Sequence, residues 1–574
     1  MTSSTLSLNE QWLWLVERLT PGSVARTTAT LGRRIRGPLD LDLLHACVSE
    51  LIRRHDTLRT TFVAEDGSLR RVVSPDPTPE WIWRDFSSAP AGQRETLALE
   101  FMDEERTKQI DISRGKQTRC MVARISESEH LMLFATHHLA ADAASLVLLE
   151  EELSALYRDG EAAAEPLTLE PLPYAEFIDW QTRTLRGADD PGVAHLSQVL
   201  QEAERLDLDA VLGPAGAPAQ PGYAMTVVPE GMADRQQVVL GPQLSQQVHD
   251  LMQSTRCSLF MVLLAGLELT LHVRSGGQSF LIRSPSANRT RAEHRAVIGA
   301  LETQTFVKCE VDSGQTFADV LVDVRRQVLQ GLRHQRVPMS LILGSVLHRG
   351  EAANTSVAFA GGMVQFALFA HGRMADWPSS LDVIVCAGSR IGTASDLQVF
   401  AMEEGKRLDG AAPGIVLEAN NPGGVFPPEN VQDFLGSFRD VLAAVATDPQ
   451  VTIAELRAAF PSAPDRVRPR TGTALPAQPL EQRPADAGDL ERSLLRTVRS
   501  ACSNDSITAH DSVFGDPRTA VETAVRLVDA INASPDLAGL DVTLADLLEE
   551  PTVTGLAASL AARGPRQAER VPAG

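Results

Sequence analysis

Two adjacent histidines, His137 and His138, stand just ahead of Asp142 in the run Phe134-ATHHLAADAAS. Imidazole is the side chain whose ordinary pKa, about 6.5, lets it accept and return a proton near neutral pH. His138 is therefore a candidate acid/base residue. A carboxylate four residues further on could hold the loop in place, and catalytic groups are often mounted on such loops.

The same spacing also has a purely structural interpretation. In a chain with 13 histidines, about one His-x-x-x-Asp match is expected by chance. Asp142 would then cap the following helix, since aspartate is a favoured N-cap residue, and the histidines would be ordinary strand-end residues. The spacing alone leaves both interpretations open.

The doublet lies where a strand pattern gives way to a helix pattern. Alternating apolar residues predict strands at Cys120-MVARI and His130-LMLFATHH, and apolar residues at helical spacing predict a helix at Ala144-SLVLLEEELSALY. Upstream, Ser23-VARTTATLGRRI predicts a strand and Leu41-DLLHACVSELIRRH a helix. A strand pair at Leu58-RTTFV and Leu69-RRVVS completes a first α+β lobe.

A second α/β lobe is predicted after a boundary near residues 185 to 230. Its elements are helices at Leu244-SQQVHDLMQ, Leu259-FMVLLAGLELTLH and Val431-QDFLGSFRDVLAAVA, and a strand at Ser279-FLIRS. Residues 461–488 are rich in Pro and lack apolar periodicity, which indicates an extended linker. Three helical patterns follow it and predict a small helical bundle. The predicted division is 1–185, 186–460, 461–488 and 489–565.

Composition narrows the class of protein. The 574 residues are 43% hydrophobic and 22% charged, ordinary values for a globular protein, with a net charge of -21. An acidic surface disfavours nucleic acid and anionic lipid, because both are bound largely through Lys and Arg. Six scattered cysteines without a CxxC pair indicate neither a zinc site nor a disulfide framework. With no leader or apolar span in the sequence, we expect a cytoplasmic protein that binds neither nucleic acid nor membrane.

Six motifs in order resemble the condensation domains of nonribosomal peptide synthetases. Besides the doublet loop, which matches HHxxxDG, they are Ser7-LNEQWLW, Arg53-RHDTLRTTF, Tyr174-AEFIDW, Ser284-PSANRT and Arg333-HQRVP. The resemblance implies an α/β (α+β) fold of two chloramphenicol-acetyltransferase-like lobes in a V, with a tunnel between them. Most of the matching large residues are expected to pack in the core: Trp12, Trp14, Leu58, Phe62, Phe177 and Trp180.

The resemblance also implies roles for the residues of the loop. His138 would orient the nucleophile and take its proton as it attacks a thioester, whereas His137 and Asp142 would be framework. Arg289 is implied as the cation beside Asp142. By residue type alone, Arg59 and Arg289 are either solvated charges or partners of a buried carboxylate.

Two departures from the family pattern stand out. Ala143 replaces the glycine of HHxxxDG, which is harmless only if the local φ is negative. The segment Ile298-GALETQTF resembles IGxxVNT, but Thr303 and Gln304 stand in place of Asn and Thr. These changes suggest an unusual donor or acceptor.

The last segment resembles an acyl or peptidyl carrier protein, most closely at Thr543-LADLLEEPTVTGLAASL. The serine that would carry phosphopantetheine falls on Ala520 or Val521, and neither has a hydroxyl group. We therefore expect a degenerate carrier-like domain with no covalent cofactor, used for docking or stability. A helical cap with a chance likeness is the alternative.

The resulting expectation is a stand-alone acyltransferase that joins a carrier-bound acyl or aminoacyl thioester to an amine or hydroxyl in natural-product biosynthesis. The donor would arrive on a phosphopantetheinylated carrier protein, and the acceptor either on a second carrier or free. A non-catalytic recruitment platform and an epimerase-type relative are the alternatives. Cyclisation is disfavoured because related cyclisation domains have Asp in the position of His137. No metal site is expected.

Overall fold

Two large β-sheets, one for each lobe, organise the fold. The structure is a computed structural model. It describes all residues of the chain except 1–2, 20–27, 66–67, 77, 109, 113–115, 163–171, 202–205, 214–233, 278, 349–363, 371–374, 386–396, 405–413, 422–424, 461–486, 503, 515–519, 538–539, 541, 543–545, 548–549, 551 and 564–574.

The first sheet holds the histidine doublet at the end of a central strand. Its order is β12-β2-β7-β6-β5, with bounds β2 Thr28–Arg36, β5 Glu80–Asp85, β6 Thr118–Ser126, β7 Glu129–His137 and β12 Asp382–Val385. Strand β7 is apolar and buried along nearly its whole length, as expected of a strand covered on both faces. Helices α2 (Leu41–Arg54) and α4 (Ala143–Ala162) cover one face, and α3 (Arg94–Thr107) covers the other.

The second sheet is built from strands between residues 234 and 421. Its order is β10-β9-β11-β13-β14-β8, with bounds β8 Asp234–Val239, β9 Phe280–Ser286, β10 Thr303–Cys309, β11 Val364–Ala370, β13 Leu397–Glu404 and β14 Gly414–Asn421. Its apolar face packs on four helices in one large core: α8 Pro242–Thr255, α9 Leu259–Arg274, α10 Phe317–His334 and α12 Pro428–Thr447.

Strand β12 links the two lobes in a way that the sequence patterns do not predict. Although it follows β11 in the chain, it pairs antiparallel with β2, with Asp382 opposite Arg36 and Val385 opposite Arg33. A short segment from the second half of the chain therefore completes the sheet of the first lobe. Four residues are too few to show a strand periodicity of their own.

Smaller elements join the lobes near the histidine loop. A third sheet has the order β1-β4-β3, and α1 (Leu8–Leu19) follows β1 directly. A buried ion pair between Glu10 and Arg71, 3.0 Å apart, fixes α1 against this sheet. The Arg71 guanidinium also lies over the Tyr174 ring, 4.8 Å from its centroid. The strands of this third sheet are β1 Ser3–Thr5, β3 Thr60–Glu65 and β4 Ser68–Val73. The helices of the lobes not yet given are α5 Tyr174–Thr184, α6 Pro191–Gln201, α7 Leu208–Leu212, α11 Met339–His348 and α13 Ile453–Ala459.

Most predicted elements are present, with one shift at the start of β3. The predicted strand Leu58-RTTFV begins only at Thr60, because Asp56–Arg59 form a 3₁₀ turn. The Thr60 hydroxyl donates to the Asp56 carbonyl at 2.7 Å and holds the turn closed. Residues 23–27 of the predicted strand Ser23-VARTTATLGRRI lie outside the described residues.

The C-terminal segment contains α14 (Ala487–Cys502), α15 (Ala520–Ala533) and α16 (Val553–Arg563). The predicted linker lies almost entirely outside the described residues, as does part of the carrier-like stretch near residue 543. The predicted division of the chain into domains stays a prediction.

Among the described residues, no single helix is long and apolar enough to span a membrane. Helices α8 and α9 reach the required length and hydropathy together, but a bend of 108° separates them.

Candidate active site

The histidine loop is a tight connection between β7 and α4. The His137 carbonyl accepts hydrogen bonds from the amides of Ala140 (2.8 Å) and Ala141 (3.2 Å), which turns the chain back on itself. The His137 amide donates to the Gln117 carbonyl at 3.0 Å, so the end of the strand is also fixed. The loop therefore presents His138 and Asp142 from a rigid strand–turn–helix unit.

The two histidines have different environments. His137 is 2% exposed, and its Nδ1 accepts a hydrogen bond from the Leu139 amide at 3.1 Å. An accepting nitrogen carries no proton, so Nδ1 of His137 is committed to holding the turn. His138 is less deeply buried as a residue, which leaves it the better placed of the two to meet a substrate.

His138 is held in its neutral form. Burial, followed by the neighbouring His137, lowers the pKa of His138 to about 4, against the opposing effects of Asp142 and of a hydrogen bond to the Ala141 backbone. A neutral imidazole that donates from one nitrogen has a lone pair on the other. His138 is therefore a proton acceptor at neutral pH.

Asp142 has no free lone pair for chemistry. Its Oδ1 accepts from the Ser145 amide and hydroxyl, both at 2.7 Å, and its Oδ2 accepts from the amides of Leu301 (3.1 Å) and Glu302 (3.0 Å). Because it bonds the amide three residues into α4, Asp142 caps that helix, as the structural interpretation requires. It also binds a loop of the second lobe, so the cap and the lobe contact are made by one carboxylate.

Arg289 supplies the cation for this buried carboxylate. Its Nη1 and Nη2 donate to Oδ2 and Oδ1 of Asp142, each at 3.0 Å, and the Arg289 side chain is 9% exposed. The same guanidinium donates to the Ser145 hydroxyl at 2.8 Å and the Val297 carbonyl at 3.0 Å. A two-pronged pair with further hydrogen bonds offsets the cost of burying both charges.

Ala143 is accommodated because it is the first residue of α4. Among the described residues, the only ones other than glycine with positive φ are Arg256 and Asn288. The glycine requirement falls instead on Gly299, whose φ is +156° and where a Cβ would lie 2.3 Å from the Tyr174 ring. Replacement of the motif glycine by Ala143 therefore leaves the backbone of the loop unstrained.

The altered IGxxVNT segment brings an unpredicted carboxyl group to the site. Glu302 occupies the position of the motif's Val, and its amide binds Asp142. Burial first, and then the Asp142 charge, raise the pKa of the Glu302 carboxyl to about 7, opposed by Arg283. Gln304 donates to Glu302 at 3.3 Å, whereas the Thr303 hydroxyl is bound to the Gln335 carbonyl.

Three residues near the loop were not predicted to belong to the site. Ser145 could have been recognised from its position three residues after Asp142, and Glu302 from its departure from the motif's Val. Tyr174 is the first residue of the motif Tyr174-AEFIDW, which was matched to the family but not assigned to the site. Its hydroxyl donates to the Ala300 carbonyl at 2.9 Å and supports the Gly299 turn.

The other motif residues have mainly structural surroundings. Trp14, Leu58, Phe62 and Phe177 are buried, while Trp12 and Trp180 are partly buried. Arg59 is only partly buried and donates to the backbone carbonyls of Ser74 and Arg53, so the contacts described for it match a partly solvated charge better than the partner of a buried carboxylate. Among the described residues, no three His, Cys, Asp or Glu side chains are grouped so that they could hold a metal ion.

The two-lobed α/β fold around an HHxxxD loop is that of the chloramphenicol-acetyltransferase-like class, as in solved condensation domains. The chain belongs to the condensation domain family, whose sequence profile matches residues 5–462.

Similar proteins include phosphinothricin tripeptide synthetase PhsC from Streptomyces viridochromogenes, 30% identical over 59% of this chain. Chondramide synthase cmdD from Chondromyces crocatus is 26% identical over 79% of this chain. The chain spans 30% of the length of the first and 11% of the second.

The fold also matches solved structures. The first condensation domain of the calcium-dependent antibiotic synthetase has a TM-score of 0.65 at 18% identity, covering 79% of this chain and 98% of that one. The X-domain from teicoplanin biosynthesis has a TM-score of 0.62 at 19% identity, covering 79% and 96%.

Proposed function

We propose that this chain catalyses amide or ester bond formation between a carrier-bound acyl or aminoacyl thioester and an amine or hydroxyl nucleophile, in the biosynthesis of a peptide-type natural product. Membership of the condensation domain family and the similarity to peptide synthetases support the reaction class. The single observation that carries the catalytic assignment is His138, a neutral imidazole on a loop fixed by Asp142 and Arg289.

In the proposed reaction, the nucleophile's nitrogen or oxygen attacks the thioester carbonyl while His138 accepts the proton that it loses. The carbon–sulfur bond then breaks, and the carrier's thiol leaves with a proton returned from the imidazole. His138 supplies acid–base help and orientation, and the fixed loop keeps its position from varying. Asp142 has a structural role in this reaction, because both of its carboxylate oxygens accept hydrogen bonds from Ser145, the second-lobe loop and Arg289.

We propose that the donor is charged elsewhere and arrives on a separate, phosphopantetheinylated carrier protein, and that the chain itself carries no covalent phosphopantetheine. The replacement of the carrier serine by Ala520 or Val521 supports the second part. A cytoplasmic location is part of the same proposal, since acyl carriers would have to reach the site.

The competing candidate is a non-catalytic platform, suggested by the similarity of fold to the X-domain. The direct test is to mix the full-length chain with a carrier protein charged with candidate acyl groups and with a panel of amines and alcohols, and to identify products by mass spectrometry. Amide or ester products that need the protein support the enzyme, and α-epimerised donor without a new bond would instead indicate an epimerase. Only carrier binding, with no turnover of any donor, would favour the platform.

A further inference from the structure

The C-terminal helices form a unit of their own, here called the C-terminal unit and comprising the described residues of 487–563. Asn532 makes two hydrogen bonds to the backbone of Val542, 2.7 and 2.8 Å long, and these connect α15 to the segment that follows. Arg496 of α14 pairs with Asp536 at 3.0 Å. The unit therefore keeps a defined shape that can be seated on another surface.

The unit is seated on the condensation lobes through one helix. Helix α15 contacts α11, α1 and β4, which together are called here the docking face. One apolar cluster continues without a break from the lobes into the unit, and Trp12 of α1 packs against it. Its members on α11 include Leu341, Ile342 and Leu343, and those on α15 include Ala524, Leu527 and Ile531. Undocking would expose these apolar side chains to water, which disfavours a freely detached unit.

The helix on the docking face is the one that matters in a carrier. The resemblance to carrier proteins places the missing phosphopantetheine serine at Ala520 or Val521, and α15 begins at Ala520. A working carrier has to present the start of this helix to its partner, because the pantetheine arm extends from it. The helix that would bear the arm in a carrier is therefore the helix that contacts the docking face, although it has no hydroxyl to bear the arm.

The docking face is directly connected to the active site. The Ser340 hydroxyl of α11 donates to the Leu8 carbonyl of α1 at 2.6 Å. Next along α1, the Asn9 amide group donates to the carbonyls of Leu301 (3.0 Å) and Glu302 (2.6 Å). The backbone amides of these two residues hold Asp142. Between an occupant of the docking face and the Asp142–Arg289 pair lie only α1, which is itself part of that face, and the loop that contains Leu301 and Glu302.

One solved structure resembles this chain beyond the condensation lobes. The solved condensation domains cover 79% of this chain, whereas a four-domain nonribosomal peptide synthetase covers 90%, with a TM-score of 0.66 at 16% identity. The family profile ends at residue 462, about 80% along the chain. The larger match therefore includes residues beyond the condensation lobes.

We propose that the C-terminal unit is a resident occupant of a carrier-docking face, which closes that face to carrier proteins. This inference rests on the proposed function in one respect: the thioester donor still needs a carrier, which must use another face. The nucleophile then reaches His138 as a free small amine or alcohol. Its N–H or O–H proton passes to His138, the new C–N or C–O bond forms, and the only thiol released is that of the donor carrier.

The seating of the unit is tested by cutting the linker in the full-length chain. A site for a sequence-specific protease is placed within residues 466–484, the chain is cleaved after folding, and the products are separated by gel filtration. The C-terminal fragment is expected to elute with the lobes. Trp12→Ala should lower the co-eluting fraction at least several-fold, whereas Trp83→Ala, a partly buried tryptophan on β5, should leave it unchanged.

Separate elution of the wild-type fragment would overturn the proposal, whatever the variants do. Circular dichroism and amide exchange of the lobes establish that Trp12→Ala is folded, and exchange in α1 and α11 should rise in that variant. None of these measurements depends on turnover, so they judge the seating of the unit even if the proposed reaction is wrong.

Delivery of the nucleophile is tested by single-turnover acyl transfer from one charged donor carrier. The same amino acid is offered either free or attached through phosphopantetheine to a second carrier protein. We expect at least tenfold faster use of the free amine by the full-length chain. Equal or faster use of the carrier-bound amine would overturn closure of the face, and absence of transfer to both would contradict the proposed function instead.

Discussion

Arg289 and Asp142 form a two-pronged ion pair across the boundary between the lobes, with both N–H···O distances at 3.0 Å. Asp142 belongs to the loop after β7, whereas Arg289 follows β9. The carboxylate also receives the amides of Leu301 and Glu302 from the second lobe. The pair therefore does two things at once: it fixes the histidine loop and joins the lobes beside it.

Arg289→Gln should destabilise the protein by about 3 to 5 kcal/mol, because it leaves a buried carboxylate without its cation. The measurement is urea denaturation followed by fluorescence and circular dichroism. The double variant Asp142→Asn, Arg289→Gln removes both charges and should recover part of the loss. If Arg289→Gln is as stable as wild type, the pair does not hold the lobes together.

The pH dependence of acyl transfer should reflect a neutral His138. With the pKa of His138 lowered to about 4, the imidazole stays in its base form from about pH 8 down to about pH 5.5, and the rate should be nearly constant over this range. An aromatic amine that remains neutral throughout serves as nucleophile, so its own ionisation does not contribute. A roughly tenfold fall between pH 7.5 and pH 5.5, centred near the ordinary histidine pKa of about 6.5, would contradict this environment.

Glu302 should make the protein less stable as the pH rises. Its carboxyl has a pKa of about 7 in the fold and near 4.5 when unperturbed, so the protonated form is favoured by the folded state. The stabilisation is fully present below about pH 4.5 and is lost as the pH rises to about 7.

Glu302→Gln is the matched neutral variant, and thermal denaturation is the measurement. The stability of wild type relative to Glu302→Gln should fall by on the order of 2 to 3 kcal/mol between about pH 4.5 and about pH 8. A difference that does not change with pH would show that Glu302 is not buried beside Asp142 as described.

The chain should not become phosphopantetheinylated. Neither Ala520 nor Val521 offers a hydroxyl for the phosphodiester, so incubation with coenzyme A and a broad-specificity phosphopantetheinyl transferase should leave the intact mass unchanged. An ordinary carrier protein in the same tube serves as the positive control. An increase by the mass of one phosphopantetheine group would mean that another hydroxyl is used and that the C-terminal unit is a working carrier.

Local patterns in the sequence were sufficient to predict which elements flank the histidine loop. Alternation in β7 and helical spacing in α4 place the doublet between a strand and a helix, and this is where the structure has it. The question raised by Ala143 depends on one φ angle, and a helix start supplies the negative value that the sequence could only state as a condition.

Contacts between residues that are distant in sequence could not be predicted from local patterns. Residues 142 and 289 show no local pattern that would bring them together, and only the resemblance to the family implied the pair. The raised pKa of Glu302 depends on burial between lobes, and β12 is too short to reveal its pairing with β2. Such features depend on tertiary packing, which local periodicity does not encode.

The most direct test of the account is His138→Ala in single-turnover acyl transfer from a charged carrier protein. Loss of a positioned acid/base group should slow transfer by about 100- to 10,000-fold. Ala143→Gly, which restores the family's glycine at a position without strain, is the matched control and should stay within about twofold of wild type. Product formation by His138→Ala at the wild-type rate would contradict the assignment of His138 as the catalytic residue.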